Sequence, residues 1–78
     1  MIGSILKNMR LTANMSQKKL GEKLNLADTT ISSYERENSQ PDFSTIIKIA
    51  RECGFDIEIV DTDKKSVSIE EMSKEKDF

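Results

Sequence analysis

The sequence predicts a mainly α fold: a four-helix domain followed by a C-terminal β-strand or hairpin. Three observations carry that prediction. Residues 16–36, SQKKLGEKLNLADTTISSYER, divide into two short apolar-periodic segments around Asn25, the pattern of two helices joined by a three- or four-residue turn. Ile46, Ile49, Ala50 and Cys53 recur at i, i+3, i+4 and i+7, the stripe of an amphipathic helix. Phe55-Asp56-Ile57-Glu58-Ile59 then alternates apolar with charged residues, the period of a half-buried strand.

The first helix is expected from about Ser4 to Ala13, with Ile5, Leu6, Met9 and Ala13 on its core side. Arg10 falls close to that stripe, one turn after Leu6. The second helix is expected over Gln17 to Leu24. Ser16 suits its N-cap, because a hydroxyl there accepts from a free N–H of the first turn. Met15 and Leu20 are spaced for a hydrophobic staple. Leu20 and Leu24 share one face. Asn25 tolerates the left-handed conformation in which a helix commonly ends, and Leu26 then returns to the core. Gly21 costs about 1 kcal/mol relative to Ala inside a helix. It fits either a close crossing of two helices or a tolerated surface position.

The third helix starts at Ala27 or Asp28 and runs to Arg36, with Ile31 and Tyr34 inward and Glu35 near the inner face. Its outer face carries Asp28, Thr29, Ser32 and Ser33. These short side chains hold donors and acceptors suited to base edges. Asp28 fits a helix cap or dipole partner equally well. At the start of the second helix, Lys18 and Lys19 oppose the helix dipole. A helix N-terminus with a lysine is a phosphate-binding arrangement, although surface drift explains two lysines as simply.

Residues 37–42, ENSQPD, have turn chemistry. Asp42 is expected to cap the fourth helix, with Phe43 entering the core and Ile47 widening the stripe. Cys53 reads as a small core hydrophobe without a basic partner, and Gly54 ends the helix. After the first strand, Val67 and Ile69 alternate with Ser66 and Ser68 as a weaker second one. Asp61 to Lys65 link them without the Gly that a tight hairpin prefers. Strands this short are marginal alone and leave an open edge. Pairing across a two-fold axis, with Phe55, Ile57 and Ile59 in a shared core, is the simplest remedy and predicts a homodimer. Residues 70–78, EEMSKEKDF, are mostly charged and are expected to be disordered.

Composition narrows the function. Seventy-eight residues allow one domain, too small to be more than marginally stable alone. With one Cys and no His, neither a disulfide framework nor a Cys/His metal site is expected. No catalytic residues are expected either: the only Cys lies on an apolar face, and there is no glycine-rich phosphate loop. Hence no enzyme activity, cofactor or metal is expected. No apolar run approaches the ~20 residues of a membrane span, and the N-terminus lacks the apolar core of a signal peptide. The expected location is cytoplasmic. The net charge of −2 hides an asymmetry. Residues 1–51 hold eight basic and five acidic side chains, a balance of +3, whereas residues 52–78 hold four and nine, a balance of −5. The positive charge therefore accompanies the paired helices, as binding to nucleic acid requires.

Arg10, Ser16-Gln17, Leu20-Gly21, Leu24, Asn25-Leu26, Thr30-Ile31, Tyr34-Glu35-Arg36, Pro41 and Ile46 through Ala50 together resemble the phage-repressor/Cro (XRE) type of helix-turn-helix domain over residues 6–55. The resemblance implies a sequence-specific double-stranded DNA-binding transcriptional regulator, a dimeric repressor with recognition helix 28–36 in the major groove. It implies base contacts from Asp28, Thr29, Ser32 and Ser33. Backbone contacts are implied for Gln17 and for the loop candidates Arg36, Asn38, Ser39 and Gln40, with Lys18 beside them. It also implies a partly buried ion pair between Arg10 and Glu35, where two solvated charges are the simpler alternative. The chain then divides into a helix-turn-helix DNA-binding domain at 1–54, a β extension for dimerisation at 55–69, and a charged tail at 70–78. Family members usually add a fifth helix beyond Gly54, and this chain departs from that. The order of its elements is similar to the HipB-type antitoxin of the HipA–HipB pair. The alternative is therefore an antitoxin that binds a toxin protein as well as operator DNA.

Overall fold

The computed structural model describes residues 1–73. Four helices come first: α1 (Ile2–Thr12), α2 (Gln17–Leu24), α3 (Asp28–Glu35) and α4 (Phe43–Glu52). All four stop in the same way. The chain passes through the left-handed region at Asn14, Asn25, Glu37 and Gly54, with φ of 57, 58, 62 and 85°. The next residue then donates back across the last turn: Met15 to the Arg10 carbonyl at 3.1 Å, Leu26 to Gly21 at 2.8 Å, Asn38 to Ser33 at 2.9 Å and Phe55 to Ala50 at 2.8 Å. This closure satisfies carbonyls that a helix end would otherwise leave free.

The N-termini are satisfied less uniformly. Ser16 accepts from the Lys19 N–H at 3.0 Å, and Asp42 accepts from Thr45 at 2.8 Å. The α1 N-cap, Met1, offers no side-chain acceptor. Glu37 supplies one from across the fold, accepting from the Gly3 N–H at 3.1 Å and pairing with the N-terminal ammonium. These contacts hold the Glu37 carboxyl below its ordinary value, the ammonium hydrogen bond foremost. They also explain why α1 begins at Ile2, two residues before the expected start. Gly3 permits the approach, since a Cβ there would lie 2.4 Å from the Glu35 carbonyl oxygen.

The core is Leu6, Met9, Leu20, Ile31, Ile49, Ala50 and Cys53. Burial pushes the Cys53 thiol pKa up, with Glu52 nearby adding to it. Two expected core residues are exposed, Ile5 at 45% and Phe43 at 56%. Gly3 and Arg10 join the buried face of α1, which turns that face toward their side and leaves Ile5 at its far edge. Phe43 is the first residue of α4, and Pro41 is buried before it instead.

Helices α2 and α3 cross over the turn at Asn25–Ala27. A Cβ on Gly21 would meet the Leu26 carbonyl oxygen at 2.5 Å, so the glycine belongs to the crossing and not to a tolerant surface. Gly21→Ala is expected to cost about 1–3 kcal/mol, because the obstruction is backbone and cannot swing aside. A chemical-denaturation series checks it. A variant as stable as the parent, or one stabilised by alanine's ~1 kcal/mol helix preference, would refute the close crossing.

Beyond Gly54 the expected strand shortens. Phe55 spends its N–H closing α4, and β1 covers only Glu58–Val60. It pairs antiparallel with β2 (Ser66–Ser68) in the register Glu58–Ser68, Ile59–Val67, Val60–Ser66. The strand's partner is thus its own chain. Lys64 takes the left-handed position that Gly would favour, at φ 65°. The Asp61 carboxylate accepts from the N–H groups of Asp63 and Lys65 at 3.0 and 2.9 Å, replacing glycine's conformational ease with side-chain hydrogen bonds. Ile69 does not continue β2. It opens a short helix, α5 (Ile69–Ser73), in which Ser68 Oγ accepts from the Glu71 N–H at 3.2 Å. Residues 70–73, expected to be disordered, are therefore helical, and 74–78 lie outside the described residues. An Arg51–Glu70 ion pair ties α5 to α4, and Ile57 packs on the core.

Candidate nucleic-acid interface

The paired helices α2 and α3 stand on a buried polar network. Arg10 on α1 donates from Nε to Glu35 Oε2 at 2.6 Å and from Nη2 to Oε1 at 3.0 Å, and its Nη1 donates to the Met15 carbonyl at 2.8 Å. The two side chains are 9% and 4% exposed. Two parallel charge-assisted bonds fix both distance and angle. Burial alone would push the Glu35 carboxyl up. Hydrogen bonds from Arg10 and Gln17, with the charges of Arg10 and Lys7, outweigh it and hold the carboxyl below its ordinary value. The Glu35 hydrogen bond likewise raises Arg10 against the effect of burial. Among the described residues no buried side-chain nitrogen or oxygen lacks a partner.

Gln17 joins this network. Its Nε2 donates to Glu35 Oε1 at 3.1 Å, and the residue is half-buried at the first position of α2. The resemblance had implied only a backbone-contacting role. Nothing local in the sequence signals a bond between residues 18 apart. Lys18 and Lys19 follow on the exposed surface.

On α3, Asp28 and Thr29 are exposed, and Ser32 and Ser33 are half-buried. Asp28 is not the cap; Ala27 takes that place and offers no side-chain acceptor. Asp28 is left as an anion in the first turn, where the helix dipole favours it. Ser33 and Ser39 share a hydroxyl hydrogen bond at 2.9 Å, so the structure joins one expected base-facing residue to one expected phosphate-facing residue. Arg36 caps α3 at its C-terminus, and Arg36, Asn38, Ser39 and Gln40 are all exposed. In the C-terminal unit, Phe55 and Ile59 are 37% and 44% exposed, while Ile57 is half-buried against its own core. Among the described residues no acidic, Cys and His cluster could hold a metal, and no helix is long and apolar enough to cross a membrane.

A helix-turn-helix family model matches residues 6–60. Over 49 residues the chain is 39% identical to the HTH-type transcriptional regulator ImmR of Bacillus subtilis (strain 168). The aligned stretch is 63% of this chain and 39% of that relative, so the chain spans well under half the relative's length. No solved structure matches the chain significantly.

Proposed function

This chain belongs to the helix-turn-helix family of the phage-repressor/Cro (XRE) type, and on that premise we propose that it is a sequence-specific, double-stranded DNA-binding transcriptional regulator. The observation that carries the proposal is the polar outer face of α3, held rigidly over the Gly21 crossing beside the lysine-bearing start of α2. Helix α3 lies in the major groove. Asp28, Thr29, Ser32 and Ser33 meet base edges, and Gln17, Lys18, Arg36, Asn38 and Ser39 meet the DNA backbone. None of the four base-facing residues is a long bidentate reader, so discrimination rests on short hydroxyl contacts and on DNA shape.

The protein acts as a homodimeric repressor. Exposed Phe55 and Ile59, with half-buried Ile57 beside them, contribute to the interface, and each strand of the hairpin keeps one unpaired edge for the partner. Removing everything after Gly54 is expected to leave a monomer; a truncated chain that still sediments as a dimer excludes this interface. Exposed Ile59, Val60 and Met72 on the same unit favour one second reading, in which a toxin protein binds there and the chain serves as an antitoxin.

The function is tested by titrating the protein onto the duplex upstream of its own gene and onto a scrambled duplex, at two salt concentrations. A preference of about 10³-fold or more, with two protected half-sites about 34 Å apart, is expected. Equal, salt-labile binding to both duplexes refutes sequence-specific recognition. Lys18→Ala is expected to weaken both interactions alike and to reduce the salt slope by about one unit. Loss of preference at a single base pair would instead make Lys18 a base reader.

A further inference from the structure

We infer that Glu35 is a positioning residue for DNA binding: its carboxylate orients the Gln17 side-chain amide so that the second amide N–H is presented to a DNA phosphate. The inference rests on the DNA-binding reading above and adds to it a division of labour within the buried network.

The chemistry leaves one orientation for the amide. An ionised carboxylate only accepts hydrogen bonds. The Gln17 atom 3.1 Å from Glu35 Oε1 must therefore be the NH2 nitrogen and not the carbonyl oxygen. Arg10 holds the carboxylate itself, with Nη2 at 3.0 Å on the same oxygen and Nε at 2.6 Å on the other. The Arg10 guanidinium is in turn fixed on the Met15 carbonyl at 2.8 Å. Each group thus locks the next, from α1 through the end of α3 to the first residue of α2.

An amide nitrogen carries two N–H groups, and Glu35 takes one. Gln17 is only half-buried, so its outer edge reaches solvent. It sits where α2 has its own free backbone donors. Ser16 Oγ takes the Lys19 N–H, and the first intrahelical bond runs from Leu20 to the Ser16 carbonyl. The N–H groups of Gln17 and Lys18 are left facing outward at the positive end of the helix. The second amide N–H completes a cluster of donors for one phosphate. A long surface glutamine normally loses rotamer freedom when it binds. Here folding has already removed that freedom.

Gln17→Leu is expected to lower affinity about tenfold for specific and scrambled duplexes alike, the lower end of what a hydrogen bond to a charged group contributes. Because the amide is uncharged and displaces no counterion, the salt slope should not change, in contrast to Lys18→Ala. Glu35→Gln should weaken DNA binding in the folded fraction of the protein. It should cost little more once Gln17 is already leucine, since the two residues act through one donor. Additive losses, or wild-type affinity in Gln17→Leu, overturn the inference while leaving DNA binding standing. Wild-type protein that binds no duplex overturns both.

Glu35→Gln puts folding at risk, so a second measurement uses the unaltered protein. In the nuclear magnetic resonance spectrum of free wild-type protein, one Gln17 side-chain amide proton should be displaced downfield and slow to exchange. Its partner should move only when duplex is added. Two amide protons that resemble an exposed glutamine's overturn the inference.

Discussion

Arg10→Ala is expected to destabilise the fold by about 3–5 kcal/mol, the cost of leaving a buried charge without its partner. A 78-residue domain has a total stability of roughly 4–12 kcal/mol, so the loss is a large share of the total and moves the denaturation midpoint far down. The loss comes from Glu35 more than from the missing side chain. Glu35 is 4% exposed and would keep only the Gln17 donor.

The pH dependence identifies the cause. In the parent, Glu35 is held below its ordinary value of 4.5. Its contribution is complete above that value and lost as pH falls through the lower folded-state pKa. Without Arg10, burial is opposed only by Gln17 and the more distant Lys7, and the folded-state pKa should rise above the ordinary value. The protonated carboxyl then suits its site, and the variant gains stability, relative to the parent, as pH falls toward 4. Denaturant melts at pH 7 and near pH 4 measure this. A gap near zero at pH 7, or one that does not narrow in acid, rules out the uncompensated carboxylate as the cause.

Leu20→Ala is expected to cost about 2–5 kcal/mol. Leu20 is 1% exposed and lies on α2, which packs on both α3 and α4. Collapse around the resulting void is restricted. The neighbouring Gly21 already brings α2 against the Leu26 backbone, and Ile31 and Ile49 beside the void are themselves fully buried. The expected cost therefore lies in the upper half of the range. DNA affinity of the folded fraction should change little, because Leu20 presents nothing to solvent. Leu24→Ala, at a half-buried position on the same face, provides the comparison. Equal costs at the two positions would show that Leu20 is not the tighter site.

The helix-turn-helix was legible because its signals are local. Ser16, Asn25 and the Leu20–Leu24 spacing each act within five residues, and α2 runs from Gln17 to Leu24 as they dictate. The same holds for Asp42 at the start of α4 and Gly54 beyond its end. The approach of Arg10 to Glu35 was implied by the family resemblance and not by spacing. The errors fall where a distant residue intervenes. Helix α1 starts early because Glu37 caps it, and Ile5 is displaced because Gly3 and Arg10 join the buried face. The C-terminal unit is the exception, since there Phe55 is diverted from the strand by the Ala50 carbonyl only five residues earlier.

The sequence by itself determined the helix stops at Asn25 and Gly54, the apolar stripes of α2 and α4, and the separation of basic from acidic charge. Each depends on φ preferences, capping groups or periodicity within one or two turns, so no knowledge of the fold is needed. Only the tertiary structure decided that Glu37 caps α1, that Gln17 donates to Glu35 and that Ser33 meets Ser39. Those bonds join residues 34, 18 and 6 positions apart. The first joins α1 to the loop after α3, the second joins α2 to α3, and the third joins α3 to that same loop, so their geometry exists only once the core has fixed how the segments pack.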